Sequence, residues 1–169
     1  MNGVGFRVAK ERDETILEEM LFHALYVPPG AEPFPRSILR DPALKAYTER
    51  WGRVGDDGLI AFDVANGNAL GAIWTRLFSA GARGYGFIDE GTPELSIAVI
   101  PDRRGCGIGS ELLRRLLGRL DETHSAVSLS VSAGNPSTRL YVRHGFETIE
   151  SSADSLKMLR RAQPLGGLL

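Results

Sequence analysis

The sequence predicts an α+β fold in which helices pack against a β-sheet. Residues 95–99 alternate apolar and small side chains, as expected for a strand with one buried face. From Ile108 to Leu120, leucine recurs at helical spacing and arginine occupies the other side, which predicts an amphipathic helix. Asn66-Gly67 lies between two apolar segments and is the strongest short signal for a β-hairpin. A chain that combines these elements is expected to layer its helices on a sheet.

The length and composition predict one domain, and the net charge of the chain is small. At 169 residues and 43% hydrophobic content, the chain suffices for one core and is short for two, so we expect a single domain over 1–169. A formal net charge of −1 argues against binding to nucleic acid or to an anionic membrane surface. The chain shows no run of membrane-spanning length, no apolar signal core and only one cysteine. We therefore expect a cytoplasmic protein.

The first third predicts one strand and two helices. Phe6 and Val8 share a face of a short opening strand, and Asp13 is a candidate N-cap for the helix that follows. The segment 28–41 contains four prolines, which favour an ordered arm or a mobile lid over a helix. Asp41 followed by Pro42 predicts a second helix start. Its expected buried side carries Leu44, Tyr47 and Trp51.

The middle of the chain predicts a hairpin followed by a glycine-rich loop. Strands at 59–64 and 69–75 flank Asn66-Gly67. The loop 79–93 carries four glycines together with Tyr85, Phe87, Asp89 and Glu90. It is either a surface excursion or a wall of the substrate site, since it leads directly into the strand at 95–99.

The last part predicts a strand, a helix and a strand pair. Residues 127–131 alternate apolar side chains with serine. Asn135-Pro136 is expected to open a helix that Gly145 closes. Segments 146–149 and 156–159 are predicted to form an antiparallel pair, and 162–169 show no structural pattern. The whole chain then contains about seven strands and about four helices.

Alternating glycines follow the strand at 95–99. Gly105, Gly107 and Gly109 allow positive φ and remove side chains, so that successive backbone N–H groups can converge on one point. The helix that starts here adds unsatisfied N–H groups and the positive end of its dipole. The turn therefore predicts an anion site, with a phosphate as the best match.

Two common nucleotide sites fit this turn poorly. A nucleotide P-loop needs a lysine and a hydroxyl after its last glycine, whereas Gly109 is followed by Ser110 and Glu111. The dinucleotide fingerprint has the spacing G-x-G-x-x-G and an acidic residue at the end of the next strand. Here the spacing is G-x-G-x-G and the next strand ends at 131–133 in Val-Ser-Ala.

Two motifs in this region match one family. Residues 104–109 (RGCGIG) have the form Q/R-x-x-G-x-G/A and follow a strand that ends in Val-x-Pro at Val99-Ile100-Pro101. Residues 135–146 (NPSTRLYVRHGF) are close to N-x-x-A/S/T-x-x-L-Y-x-x-x-G-F. The motifs occur in the right order, about 30 residues apart, with a helix and a strand between them. In this the chain resembles the GNAT superfamily of acyl-CoA-dependent N-acetyltransferases.

The resemblance implies a fold and a cofactor site. The fold is a mixed, mostly antiparallel sheet between helical layers (α/β/α), whose fourth and fifth strands splay apart and admit the pantetheine of acetyl-CoA. Backbone groups of the fourth strand would pair with pantetheine, at Ile97, Ala98 and Val99. The turn would hold the pyrophosphate, with Arg104 near its charge and contacts from Gly105, Cys106, Gly107, Ile108, Gly109 and Ser110. Asn135 would support the cofactor arm, although an asparagine before proline is also an ordinary helix cap.

The resemblance also implies transfer of an acetyl group to an amine. At pH 7.4 a primary amine of pKa near 10.4 is roughly 0.1% neutral, so a base or the binding site must supply the free form. Glu94 stands where several members carry a glutamate that acts as base, directly or through water. Tyr141 stands where many keep a tyrosine that serves the departing sulfur as an acid and also contacts the cofactor. Members that acetylate peptide N-termini carry a glutamate at the place of Ser130, which argues against ribosomal-protein acetylation.

Other interpretations remain open at this stage. Glu94 also fits a solvated strand end, and Tyr141 a core aromatic side chain. A module that binds acyl-CoA for sensing or assembly is the alternative to an enzyme, while an NAD(P) oxidoreductase conflicts with the glycine spacing. No residue spacing predicts a metal site. The acceptor amine is not encoded, although 28–41 and 79–93 are its expected determinants, and a homodimer is expected only because family members often form one.

Overall fold

The computed structural model describes residues 3–163. Within this range the seven strands are β1 (Val4–Val8), β2 (Asp57–Asp63), β3 (Ala69–Arg76), β4 (Glu94–Val99), β5 (Ala126–Ser132), β6 (Glu147–Ser151) and β7 (Ser155–Arg161). The four α-helices are α1 (Glu14–Ala24), α2 (Pro42–Lys45), α3 (Ile108–Leu120) and α4 (Thr138–Arg143). The predicted element order is confirmed. Of the C-terminal tail without a pattern, positions 164–169 lie outside the described residues.

The strands form one mixed sheet in the order β1-β2-β3-β4-β5-β7-β6. Every pair of neighbours is antiparallel except β4 and β5, which are parallel. The hairpin of β2 and β3 around Asn66-Gly67 is confirmed, as is the pairing of β6 with β7. β7 returns between β5 and β6, so the final strand of the chain lies inside the sheet.

The parallel strands β4 and β5 meet at one position and then diverge. Glu94 pairs with Ser128, and the Ser128 N–H donates to the carbonyl of Pro93 at 3.0 Å. No further register pair joins β4 to β5 in the described chain, although β5 stays paired with β7 from Ala126 to Ser132. The predicted splaying of the fourth and fifth strands is confirmed. It opens the sheet next to the glycine-rich turn.

Each face of the sheet carries its own apolar core. Leu95 and Leu129 lie on the face covered by α3 and α4, together with six buried residues of α3. Trp74 and Ala98 lie on the opposite face, against α1 and the residues around α2. Because successive strand side chains point to opposite faces, one sheet supplies both cores. The α/β/α layering follows from this alternation.

The second helix is much shorter than predicted. Leu44, Tyr47 and Trp51 are buried as expected, but α2 ends at Lys45 and the next five residues form turns. The reason is a set of side-chain donors from β3 that bind the backbone carbonyls of this segment. Trp74 Nε1 donates to the Tyr47 carbonyl at 3.1 Å, and the Arg76 guanidinium donates to the carbonyls of Ala46 and Glu49 at 2.8 and 2.9 Å. These donors replace the i→i−4 bonds that a longer helix would make.

Asp13 does not cap α1 as predicted. Its carboxylate is buried and accepts two hydrogen bonds from the Arg7 guanidinium at 2.6 and 2.8 Å, and one from the Lys10 N–H at 2.8 Å. The carboxylate therefore ties β1 to the 3₁₀ turn at Glu11–Asp13 that precedes the helix. The charge-assisted hydrogen bonds from the Arg7 guanidinium therefore take the place of the helix cap that the local pattern predicts for Asp13.

The proline-rich segment 28–41 is attached to α1. It contains a 3₁₀ turn at Arg36–Arg40, and the Arg36 guanidinium donates two hydrogen bonds to Glu19 at 2.6 and 2.7 Å. The Arg36 guanidinium also lies 4.8 Å from the centre of the Phe22 ring. These contacts tie the middle of the segment to α1.

Candidate active site

A cleft of about 810 Å³ lies where β4 separates from β5. Its walls are β4, the glycine-rich turn, the start of α4 and the segment that follows α1. Eleven of the twelve residues predicted to bind cofactor line this cleft, namely Ile97, Ala98, Val99, Arg104, Gly105, Gly107, Ile108, Gly109, Ser110, Asn135 and Tyr141. Cys106 does not line it. The sequence-distant motifs are therefore brought together around one space.

The turn at 105–110, which we call the phosphate turn, offers its backbone N–H groups to the cleft. Gly105 and Gly107 have φ of 72° and 84°, a left-handed conformation that suits glycine. None of the N–H groups from 105 to 110 donates to a backbone or side-chain acceptor in the described part of the chain. The first turn of α3 begins at Ile108, so the positive end of its dipole faces the same space. The arrangement suits an anion.

Two side chains of this region have contacts that the sequence did not predict. Arg104 donates to the carbonyl of Val99 and to that of His23, both at 3.0 Å, and so ties the turn to β4 and to the end of α1. The Ser110 hydroxyl lies 2.9 Å from His144 Nε2, at the end of α4. Burial, with the nearby Arg143 and Arg160, lowers the pKa of His144. Both contacts connect the phosphate turn to neighbouring elements.

Asn135 lines the cleft and also orders the start of α4. Its side-chain oxygen accepts from the Ser137 N–H at 2.9 Å, and its carbonyl accepts from the Thr138 hydroxyl at 2.9 Å. The helix itself begins at Thr138, a few residues later than predicted from Asn135-Pro136. Asn135 is therefore not the N-cap of α4, which is Ser137; its side chain instead forms an Asx turn just before the helix.

Tyr141 projects from α4 into the core beside the cleft. Only 8% of the residue is exposed, and its ring lies edge-on to Phe146 with the ring centres 6.0 Å apart. Burial raises the pKa of Tyr141 to about 12, and the phenol makes no hydrogen bond with any described residue. The side chain is therefore a protonated donor at neutral pH that remains available to a guest in the cleft.

Glu94 is buried at the junction of β4 and β5 and does not line the cleft. It is 3% exposed, which excludes the solvated strand end. Its Oε1 accepts hydrogen bonds from the Tyr47 hydroxyl at 2.5 Å and from the Gly86 N–H at 2.8 Å. Its Oε2 is buried and has no partner among the described residues. Burial raises the pKa of Glu94 above its usual range, although these two donors oppose the shift.

The loop 79–93 covers this carboxylate. The Tyr85 N–H donates to the Tyr47 hydroxyl at 2.7 Å, and a Cβ on Gly86 would come within 3.0 Å of β5 backbone atoms at Leu129 and Ser130. The loop is therefore a wall of the region around Glu94 rather than a free surface excursion. We call Tyr47, Gly84, Gly86 and Glu94 the carboxylate cluster.

Tyr47 and the two glycines of this cluster are not predicted from the sequence as site residues. The spacing predicts Tyr47 as one of the buried positions of the second helix, and burial of its ring agrees with that prediction. Nothing in the local pattern links it to Glu94, which lies 47 positions away. The one sequence signal for this cluster is the pair of glycines, Gly84 and Gly86, in the loop that precedes β4.

Two kinds of site are not observed in residues 3–163. No group of three or more histidine, cysteine, aspartate or glutamate side chains is arranged to hold a metal ion. No helix in this range combines the length and the apolar character needed to cross a membrane.

Comparison with known proteins identifies one family. Residues 20–146 match the model of the acetyltransferase (GNAT) family. No curated protein sequence matched the chain.

Among solved structures, yncA from Salmonella typhimurium, determined with its cofactor acetyl-CoA, superposes with a TM-score of 0.66 at 20% identity, covering 97% of this chain and 96% of that one. An N-acetyltransferase from Staphylococcus aureus Mu50 gives 0.66 at 19% identity, covering 95% and 99%. The ribosomal-protein-S18-alanine N-acetyltransferase from Escherichia coli gives 0.64 at 18% identity, covering 98% of both chains. These similarities concern the fold.

Proposed function

Because the chain belongs to the acetyltransferase (GNAT) family, we propose that it transfers an acetyl group from acetyl-CoA directly to an amine. The observation that carries the proposal is the cleft at the β4–β5 divergence, which presents free backbone donors, together with the buried Glu94 carboxylate at the paired position from which the two strands diverge. Direct transfer needs no covalent enzyme intermediate. Consistent with this, the one cysteine, Cys106, is outside the cleft lining.

The residues of the cleft suit acetyl-CoA. The N–H groups of the phosphate turn are the natural donors for its pyrophosphate, and the charged residues of the lining are arginines, Arg103, Arg104 and Arg143, with no acidic side chain among them. Beyond Glu94, the edge of β4 that faces β5 has no strand partner. Apart from the Val99 carbonyl, which accepts from Arg104, backbone groups of this edge between Ile97 and Val99 are thus available to a pantetheine arm, as in the addition of a strand.

When bound, acetyl-CoA supplies the thioester whose carbonyl carbon accepts the amine. This chain then has to align the two reactants, accept a proton from the amine and provide a hydrogen-bond donor for the leaving sulfur. We assign the first proton to Glu94, because an ammonium must lose a proton before its nitrogen can attack. A carboxylate whose pKa is raised by burial is a stronger base than one in water, which suits that task.

We assign Tyr141 to the leaving sulfur. Tyr141 lines the cleft and its phenol has no hydrogen-bond partner among the described residues, so it can donate a hydrogen bond to the sulfur as the C–S bond breaks. With a pKa of about 12 the phenol holds its proton before the reaction, and stabilises negative charge on sulfur as that charge develops.

The test has two stages. Calorimetry with acetyl-CoA and with CoA measures cofactor binding, and absence of binding to folded protein at millimolar cofactor would overturn the proposal. Release of free CoA thiol is then followed with a panel of small amines, amino acids, peptides and aminoglycosides. Turnover with one class supports the proposal and identifies the acceptor. Tight CoA binding without turnover across the panel would contradict it in favour of an acyl-CoA-binding module.

A further inference from the structure

The two oxygens of Glu94 have different environments. Oε1 accepts two hydrogen bonds, from the Tyr47 hydroxyl and the Gly86 N–H. Oε2 accepts none from the described residues, although it is buried from solvent. A buried oxygen without a partner costs on the order of 1–3 kcal/mol, so Oε2 keeps an acceptor position that a bound donor can fill.

A second orphaned group lies at the same position of the sheet. The Ser128 hydroxyl is the other buried polar side-chain atom without a partner in the described chain. Glu94 and Ser128 are opposite each other at the single paired position of β4 and β5, so their side chains leave the sheet on the same face. Two unsatisfied polar atoms at one point indicate a polar space rather than a gap in an apolar core.

Tyr47 is held firmly enough to fix one oxygen of the carboxylate. Trp74 Nε1 binds its carbonyl at 3.1 Å, and the neighbouring Ala46 carbonyl accepts from the Arg76 guanidinium at 2.8 Å. The buried Arg76 in turn donates to Asp56 at 2.7 and 2.9 Å. The Tyr47 ring packs edge-on against Phe78, with the ring centres 5.0 Å apart. These contacts restrict rotation of the Tyr47 side chain, so the direction of its hydrogen bond to Glu94 Oε1 is fixed by the fold.

Tyr47 is a donor here and not a base. Burial and the adjacent carboxylate both raise the pKa of Tyr47, which keeps the phenol protonated. The other charged group that acts on Glu94 is Lys157 of β7. No residue of the cluster other than Glu94 is therefore placed to accept a proton.

We propose that Tyr47 is a positioning residue that engages Oε1 and thereby reserves Oε2 as the atom that takes the proton of the acceptor amine. The inference rests on the proposed function. In the step, an N–H bond of the ammonium breaks and an O–H bond forms at Oε2. The carboxylate becomes a neutral acid and the nitrogen keeps the electron pair with which it attacks. The proton returns to solvent after the product leaves.

Because Gly84 has no side chain, no atom of this residue occupies the position of a Cβ next to Oε2. A Cβ built on Gly84 would overlap Oε2 and would come within 2.8 Å of the Tyr47 hydroxyl oxygen. The backbone of Gly84 does not lie in the left-handed region, so alanine is conformationally acceptable there. Glycine is needed at this position for space.

The first experiment compares pH profiles of kcat/KM for the wild type and Tyr47→Phe. The hydrogen bond from Tyr47 lowers the pKa of Glu94, so its removal should move the acid limb of the profile to higher pH, by about one unit. Activity should fall about tenfold on the acid side and recover at high pH, with the acetyl-CoA dissociation constant unchanged. Tyr85→Phe is the matched control, because it keeps the backbone N–H that binds the Tyr47 hydroxyl and the ring that stacks on Tyr47, and removes only a hydroxyl that bonds to no member of the cluster.

The second experiment compares Gly84→Ala with Gly81→Ala in the same loop. The methyl group at 84 should lower kcat at least tenfold without changing acetyl-CoA affinity. A Cβ at 81 meets no atom within 4 Å, so Gly81→Ala should behave as the wild type.

The outcomes separate the two proposals. A wild type that binds no acetyl-CoA or releases no CoA thiol with any amine overturns the proposed function. An active wild type whose acid limb does not move in Tyr47→Phe overturns the positioning role of Tyr47. Gly84→Ala with undiminished kcat contradicts the assignment of Oε2 as the proton acceptor.

Discussion

The two ends of the site are built in different ways. The phosphate turn is one contiguous segment that offers backbone N–H groups, and the cleft in front of it is open. The carboxylate cluster gathers side chains and glycines from three separate segments, and its two side chains, Tyr47 and Glu94, are buried. Backbone donors depend on conformation and space, whereas a side-chain network depends on the chemistry of each member. The first region should therefore tolerate most substitutions except those of glycine, and the second should tolerate few.

The largest effect is expected for Glu94→Gln. The substitution keeps the shape of the side chain and an acceptor for Tyr47 and Gly86, but removes the proton acceptor, so kcat should fall by about 10²–10⁴-fold. The acetyl-CoA dissociation constant should not change, because Glu94 does not line the cleft. Steady-state kinetics with calorimetry checks both. Glu90→Gln, in the exposed part of the loop, is the control, and a Glu94→Gln enzyme with full turnover would remove Glu94 from the mechanism.

Gly107→Val should give the opposite pattern. A β-branched residue at φ of 84° is strained by roughly 1–3 kcal/mol and displaces the N–H groups of the turn. Acetyl-CoA affinity should fall about 10- to 100-fold, while kcat at saturating acetyl-CoA stays within a few fold of the wild type.

Gly118→Ala is the matched control for that substitution. It lies within α3 and its Cβ would meet nothing within 4 Å, so the affinity should be unchanged. If Gly107→Val bound acetyl-CoA as tightly as Gly118→Ala, the phosphate turn would not be the pyrophosphate site.

Tyr141→Phe tests whether the two regions meet at the reacting sulfur. The ring and its packing on Phe146 are retained while the phenol is lost, so kcat should fall about tenfold. Acetyl-CoA affinity should change little. Kinetics over a range of acetyl-CoA concentrations separates the two effects. A rise in KM alone, at constant kcat, would make Tyr141 a binding residue and leave the sulfur without an assigned donor.

The smallest effect concerns stability. Because the pKa of Glu94 is raised in the folded state, the unfolded chain loses this proton at lower pH than the folded chain does. The contribution of Glu94 to stability therefore falls as pH rises above its ordinary value near 4.3. Glu94→Gln removes this penalty and should be more stable than the wild type at neutral pH, by on the order of 1 kcal/mol.

Denaturant unfolding at several pH values tests this prediction. The difference between the two proteins should shrink toward pH 4. A variant that is less stable than the wild type at every pH would show that the carboxylate pair with Tyr47 stabilises the fold.

Much of the cofactor region could be predicted from the sequence because its signals are local. This region is one contiguous stretch: the strand that ends before Pro101, the alternating glycines and the helix from Ile108. The spacing of its apolar residues and the positions of its glycines are enough to predict these elements. The element order and the splayed strands followed from the motifs. The helix ends were less accurate, because Arg76 and Arg7 bind backbone and side-chain groups that a local pattern assigns elsewhere.

The sequence by itself determined the order of the strands and helices, the family and the position of the phosphate turn, since each depends on neighbours along the chain. Only the tertiary structure decided that Glu94 is buried, that Tyr47 binds one of its oxygens and that Gly84 leaves the other oxygen free. The physical reason is distance along the chain: the environment of a carboxyl group is set by whichever segments fold against it. Here those segments are the turn that follows α2 and a loop without regular structure, whose local patterns carry no information about their partner.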